Sequence, residues 1–341
     1  MLETPNRISK QLDKMVKTVG DLDLSCHLEL IGIICIKMKT IAITGASGFI
    51  GHHLLKHYLD EGAKVIAFVP DPETLEPYTC ENLEVVKAFF EDFARLSELT
   101  SARNIDIFYY LSWGGYGKAT NDYTAQEQNI LPICNAVNEA AKMGCKRFLF
   151  STSFSEYMIS EHETLTHNTG AHCNVYGAAK QAARVLAHAT AAQKGVPFLC
   201  VAFANTFGVG DRSRRSTNLF VHKLLKGEAL DLTEGVHLYD WNYIDDTLAG
   251  LVLAGEKGKE DAIYYIGSDR RRPLKDIVGE VRDILAPGVE IRLGTYKEDF
   301  HVDYTSVDVT RLYRDTGYQP KWDFKEAVLK TAEWVKTLDW Q

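Results

Sequence analysis

Tyr176 and Lys180 stand four residues apart in Tyr176-Gly177-Ala178-Ala179-Lys180. On a helix that spacing puts both side chains on one face. An ammonium beside a phenol favours the phenolate, so such a tyrosine can pass a proton to or from a hydroxyl or carbonyl. Paired with a hydride carrier, that proton transfer completes an oxidation or reduction. Upstream, Phe148-Leu149-Phe150-Ser151-Thr152-Ser153 reads as a strand ending in hydroxyls. A hydroxyl there can hold the same substrate oxygen. Each feature alone is weak, since a tyrosine–lysine pair also decorates helix surfaces and Ser151–Ser155 also reads as a polar loop.

A carrier site is written near residue 45. Thr44-Gly45-Ala46-Ser47-Gly48-Phe49-Ile50-Gly51 places three glycines at intervals of three, after a β-rich run and before a helical one. Glycine permits the tight turn and lets backbone approach a pyrophosphate, while the helix N-terminus offers free N–H groups and partial positive charge. Between a strand and a helix, this spacing predicts dinucleotide binding. The ribose selector stays open. An acidic residue at the end of the second strand suits NAD, and a nearby arginine suits NADP. Here Val69 and Pro70 occupy that end, and Asp71 follows, either reaching the ribose or serving as a turn residue between two prolines.

The elements that must position these residues alternate. Strands are expected at Thr40–Thr44, Lys64–Val69, Leu83–Val86, Ile105–Leu111, Arg147–Thr152 and Pro197–Ala204. Helices are expected at Phe49–Leu59, Tyr123–Met143 and Val175–Gln193. Nearly continuous apolar strands between helices indicate a parallel sheet covered on both faces. The fold class is therefore α/β: a Rossmann-type doubly wound sheet with a smaller C-terminal α/β substrate lobe. Residues 38–205 read as the dinucleotide-binding domain and 206–341 as the lobe, interleaved with late sheet elements. Helices are expected there at Leu274–Leu285 and Lys325–Thr337. Residues 1–37 read as a leader or over-extended start, because Met38-Lys39-Thr40 leads straight into a strand.

The 341 residues carry 38 Lys+Arg and 46 Asp+Glu, a net charge of −8, and 45% of them are hydrophobic. That apolar content excludes a disordered chain, and the acidic balance argues against a nucleic-acid partner. The seven cysteines are odd in number and contain no CxxC pair, which indicates neither a disulfide framework nor a zinc knuckle. A reducing, cytoplasmic setting follows. The run Leu30–Ile36 is far short of the roughly 20 residues of a spanning helix, so no membrane partner is expected, although it could pass for a weak signal-peptide core.

Together these residues resemble the extended short-chain dehydrogenase/reductases, in their nucleotide-sugar epimerase/dehydratase branch, over about residues 38–341. TGASGFIG at 44–51 is similar to that family's cofactor turn, and Tyr176, Lys180 and Ser153 to its catalytic groups. Asn129 matches an asparagine that supports the lysine through water. Asn205-Thr206-Phe207-Gly208 and Asp240-Trp241-Asn242-Tyr243-Ile244-Asp245-Asp246 resemble further blocks, as do Tyr265–Ser268 with Leu274–Ile277, and Thr316–Pro320. The resemblance implies a cofactor site of Gly45, Ser47, Gly48, Phe49, Ile50, Gly51, Asp71, Leu111, Tyr176 and Lys180, holding NAD or NADP. It implies a nucleoside diphosphate sugar as substrate, touched by Trp113, Asn205, Arg212 and Tyr239. It also implies a homodimer built on the two long helices.

Two departures matter. The 4,6-dehydratases of the family follow the catalytic threonine with Asp-Glu, whereas Ser153 precedes Phe154 and Ser155, so a dehydratase is not expected. The usual arginine before the D-F block is Tyr239. Asp211-Arg212-Ser213-Arg214-Arg215 and Arg270-Arg271-Arg272 are candidate replacements for the diphosphate clamp, or simply solvated surface charge.

His162, His167 and His172, five residues apart, lack the spacing of metal ligands, and no metal is expected. Trp113-Gly114-Gly115-Tyr116 follows the fourth strand at the ligand end of the sheet, where an aromatic can stack on a sugar. The activity expected is hydride transfer at C4 of the sugar, by a 4-ketoreductase or a 4-epimerase. The competing reading is a non-catalytic NAD(P)-sensing or scaffold protein on the same fold.

Overall fold

A computed structural model describes residues 38–117, 119–156, 174–296 and 308–340. The expectations for residues 1–37 and for the three spaced histidines lie outside the described residues.

Strand β1 (Thr40–Thr44) enters helix α1 (Phe49–Asp60) through the glycine turn, and β2 (Lys64–Val69) returns parallel to β1. Strand β3 (Leu83–Lys87) pairs outside β2. After the short α2 (Leu96–Leu99), β4 (Ile107–Tyr110) pairs on the other side of β1. Next come α3 (Tyr123–Glu127), α4 (Ile130–Lys142) and β5 (Phe148–Ser151). Helix α5 (Val175–Lys194) and β6 (Phe198–Phe203) complete the alternation.

The long helix expected over Tyr123–Met143 is broken at Gln128–Asn129, for a reason in the sequence. Pro132 stands four residues beyond Gln128. In a continuous helix its ring would meet the Gln128 carbonyl, and it has no N–H to give. Breaking there puts Pro132 in the first turn of α4, where its missing donor leaves nothing unpaired.

Further on lie β7 (Asn205–Phe207), α6 (Ser216–Leu225), β8 (Leu230–Asp231), β9 (Leu238–Tyr239) and β10 (Trp241–Tyr243). They are followed by α7 (Ile244–Lys257), β11 (Ile263–Ile266), β12 (Arg272–Pro273), α8 (Leu274–Leu285) and β13 (Ile291–Arg292). Helices α9 (Arg311–Thr316) and α10 (Phe324–Lys336) end the described chain. Strand β11 returns to the main sheet beside β6, giving seven parallel strands in the order β11-β6-β5-β4-β1-β2-β3. The order reverses at β1, between β2 and β4, which opens the crevice where such sheets bind ligands.

Alternation along each strand divides the core. Phe108, Tyr110, Phe148 and Phe150 face α4 and α5, which answer with alanines such as Ala136, Ala183 and Ala187. Ile41, Ile43, Tyr109 and Leu149 face the opposite way, against Leu54 and Leu55 of α1 and Leu251 of α7. A further cluster around Phe207, Trp241, Val278 and Val328 holds the elements beyond β6 together.

The turn that begins this arrangement is tightly packed. A Cβ on Gly51 would lie 2.0 Å from the Gly45 carbonyl oxygen. Gly45 itself has φ +75°, and a Cβ there would lie 2.9 Å from the Ser112 nitrogen, where β4 ends. Gly51→Ala is therefore expected to cost about 1–3 kcal/mol through overpacking against backbone that cannot yield. Urea unfolding measures this; an unchanged midpoint would contradict the packing described.

Candidate active site

Beyond the carboxyl ends of β5, β6 and β7 lies an open cavity of about 1020 Å³. Ile50 of the glycine turn lines it together with Ser153, Tyr176, Asn205, Arg215 and Tyr239. The expected cofactor turn, the tyrosine and serine, and two expected substrate residues thus share one cleft.

Helix α5 brings Tyr176 in on its first turn. Asn174 caps that turn by accepting the Gly177 N–H at 2.6 Å. A Cβ on Gly177 would lie 2.7 Å from the Ser155 carbonyl oxygen, so glycine lets α5 approach the turn that carries Ser153. There the Ser153 hydroxyl hydrogen-bonds the Tyr176 phenol. Burial pushes the Tyr176 pKa up, while that hydrogen bond and the charge of Arg215 pull against the rise.

Lys180 sits deeper. It is 3% exposed, and its Nζ donates to the Ser151 carbonyl at 2.8 Å. The Trp113 ring covers it, with the centroid 3.8 Å from Nζ, and Phe150 lies at 5.1 Å. The Tyr176 ring centroid is 5.8 Å away. The i, i+4 spacing led us to expect Lys180 as the main charge acting on the phenol. In the folded chain Lys180 lies over the Trp113 ring, and Ser153 and Arg215 both pull the Tyr176 pKa down. Burial lowers the Lys180 pKa to about 7, against the attraction of Glu156.

Trp113 was expected to stack on sugar. One face of it covers the lysine, and Tyr116, 59% exposed, is among the aromatics that line the cleft. The Tyr116 and Tyr176 rings meet edge to face at 5.6 Å. Asn129, expected to act on the lysine through water, is committed to backbone. Its Oδ1 accepts from Gly114 N at 2.6 Å, and its Nδ2 donates to Gly114 O, Ala125 O and Gln126 O. Gln126, which the motifs did not mark, accepts from Trp113 Nε1 at 2.9 Å and donates to the carbonyls of Gly115 and Ala119. The break before α4 thus aims two amides at the loop that covers Lys180.

The arginines separate. Arg215 lines the cleft and donates to Asp211 Oδ2 at 2.8 Å, to Ser213 Oγ at 3.0 Å and to Tyr116. Burial works against its charge, but Asp211 and Tyr116 raise its pKa further. Arg212 instead borders a cavity of about 440 Å³ beside Trp334 and Trp340. Arg270 and Arg272 border another of about 280 Å³, and Arg272 pairs with Glu280 at 2.6 Å. Asp71, exposed beyond β2, accepts the Glu73 N–H at 3.2 Å.

The residues of the turn fit a dinucleotide. Gly48 caps α1 without a side chain, and no acidic residue stands in the first turn, so its amides face an incoming anion with no internal competitor. Among the described residues no group of three or more His, Cys, Asp or Glu is placed to hold a metal ion. No helix among them is long and apolar enough to cross a membrane.

The lysine has a measurable signature. With a folded pKa near 7 and an unfolded value near 10.4, the unfolded chain holds more protons between those limits. Stability from this group therefore rises with pH across that window. Lys180→Met, similar in shape and uncharged, is expected to unfold at higher urea than the parent at pH 6.5, with the margin shrinking by pH 10. A parent more stable than the variant at pH 6.5 would overturn this account of the buried charge.

Residues 41–267 match the model of the NAD dependent epimerase/dehydratase family. A dTDP-glucose 4,6-dehydratase from Streptomyces antibioticus is 21% identical over 308 residues, which are 87% of this chain and 92% of that protein. UDP-glucuronate 4-epimerase 3 from Arabidopsis thaliana is 21% identical over 331 residues, 86% of this chain and 76% of that protein. The crystal structure of UDP-glucuronic acid 4-epimerase from Bacillus cereus, in complex with UDP-glucuronic acid and NAD, superposes with a TM-score of 0.69 at 17% identity. It covers 87% of this chain and 99% of that one, and shares its fold. With the matched span running from β1 through β11 and the seven strands in this order, the chain belongs to the NAD-dependent epimerase/dehydratase family.

Proposed function

We propose that this protein is an NAD(P)-dependent enzyme acting at C4 of a nucleoside diphosphate sugar, as a 4-epimerase or a 4-ketoreductase. One observation carries the reading. The hydrogen-bonded Ser153 and Tyr176 line the same cleft as Ile50 of the glycine turn and Tyr239 opposite. A dinucleotide on the turn would accept and return hydride, and the nucleotide-sugar would enter from the side of Arg214, Arg215 and Tyr239. Tyr176 takes the proton from the sugar hydroxyl or returns it to the carbonyl. Ser153 orients that oxygen by donating to it. Lys180 supplies positive charge under the tyrosine and a donor toward the cofactor ribose, and Asn129 and Gln126 hold the loop over it. Asn205 and Tyr239 contact the substrate.

Two relatives named for UDP-glucuronate favour C4 epimerisation. Removal of water to a 4-keto-6-deoxysugar needs an acid–base pair just after Ser153. Phe154 there is buried against Tyr265, the Ser155 N–H is turned onto Ser153 Oγ, and Glu156 is taken by Arg184. Those contacts support a non-dehydratase, although a relative is named a dehydratase.

The reading includes a cytoplasmic homodimer. Tyr123, Leu131, Val185 and Leu186 are each more than half exposed on α3, α4 and α5, an apolar face suited to a second copy. Light scattering should give twice the chain mass, and Leu186→Asp should give the single-chain mass. A parent that runs as one chain contradicts this part.

Denaturing the purified protein and identifying released nucleotide by mass spectrometry separates the chemistries. Near-stoichiometric NAD indicates an epimerase that recycles its cofactor. Reversible binding of NADH or NADPH to a nucleotide-free protein indicates a ketoreductase. With UDP-glucuronic acid, UDP-glucose or dTDP-glucose as substrate, Tyr176→Phe should lower turnover about 10²–10⁴-fold. Full turnover in that variant would sink the mechanism, and no turnover by the parent on any nucleotide-sugar would favour a sensing or scaffold role.

A further inference from the structure

Glu156 lies on the turn that follows Ser153, and no step above uses it. Its carboxylate is buried, with the residue 2% exposed. Its N–H donates to the Ser153 carbonyl at 3.2 Å, which ties it to the reacting hydroxyl through backbone. Its Oε2 accepts from Arg184 Nε at 2.8 Å. Arg184 stands four residues beyond Lys180 and eight beyond Tyr176, on the same face of α5. A buried ion pair of this kind adds little to stability compared with apolar residues of similar volume. Its position therefore asks for another account.

The surroundings of Lys180 supply one. The groups in direct contact with its ammonium are neutral: the Ser151 carbonyl and the rings of Trp113 and Phe150. An ammonium desolvated among neutral groups tends to lose its proton. Among the described residues, the titratable or charged groups facing it are Tyr176 and Arg184 on α5, Cys200 on β6, Glu156 on the turn and, past the Tyr176 ring, Tyr116. Burial drives the Cys200 and Tyr176 pKa values up, so both stay neutral. Arg184 carries the same sign as Lys180. Glu156 is the group that attracts the ammonium most.

We propose that Glu156 is a positioning residue for the reacting pair: its buried carboxylate keeps Lys180 an ammonium, and Arg184 straps that carboxylate to α5. The turn after Ser153 thus sets the hydroxyl donor and the charge of the lysine together. This rests on the catalytic reading of Tyr176 and Lys180 given above, and the test is chosen to fail separately from it.

The full chain, free of cofactor and labelled with [ε-¹³C]lysine, is titrated by NMR, with the Lys180 signal assigned by its loss in Lys180→Arg. Glu156→Gln should lower the Lys180 midpoint by about one pH unit, a tenfold fall in proton affinity. Glu156→Asp should recover part of that shift. If Glu156→Gln does not fold, Glu156→Met with Arg184→Met keeps the packing and should lower the midpoint by less, because the guanidinium removed with the carboxylate repels the ammonium. With substrate and cofactor, the alkaline limb of kcat/KM should move to lower pH with the midpoint, because activity is lost as Lys180 deprotonates. A midpoint unmoved in these variants overturns the proposal, as does a moved midpoint with an unmoved limb. Full turnover by Tyr176→Phe would instead overturn the catalytic reading and leave the NMR result standing.

Discussion

A charged lysine placed where water cannot reach it governs much of this site. Lys180 has to be covered to lie close beneath Tyr176, and covering an ammonium weakens its hold on its proton. The structure meets that cost with a carbonyl at the end of β5, the electron-rich face of Trp113 and the more distant carboxylate of Glu156. Each of these needs its own support. Trp113 is held by Gln126 through its indole N–H, and the adjoining glycine by Asn129. Glu156 is held by Arg184 from the helix that carries the lysine.

The sheet makes this possible. β4 and β5 are neighbours, so the loop after β4 and the hydroxyl-bearing turn after β5 emerge side by side. α5 lies across that face on alanines small enough to let it come close, and Gly177 removes the last obstacle to contact with the Ser153 turn. On the other flank β1 delivers the glycine turn at the point where strand order reverses. The cleft between them is therefore a product of topology, with each wall anchored to a different strand end.

Arg215 shows how the later part of the chain enters the same chemistry. It reaches the cleft from the N-terminal edge of α6, is held by Asp211, and its charge favours the phenolate of Tyr176. Two cations whose burial and partners differ thus bear on the surroundings of the tyrosine. Asp211 and Tyr116 raise the Arg215 pKa, while burial lowers that of Lys180 to about 7.

Much of this was legible in the sequence because it rests on local rules. Glycine spacing between a strand and a helix, apolar runs of strand length and a tyrosine four residues before a lysine need only short-range geometry. They sufficed for the six strands of the alternating part, the glycine turn and the family. Pro132 shows a local signal that was present but outweighed by the helical pattern around it. The contacts of Trp113, Asn129, Gln126 and Glu156 were decided by tertiary structure. The partners that matter here lie far along the chain, as in Gln126 to Trp113, Asn129 to Gly114, Glu156 to Arg184 and Trp113 to Lys180. Burial of a charge is a property of the packed whole, and no pattern along one segment reports which side chain will cover it.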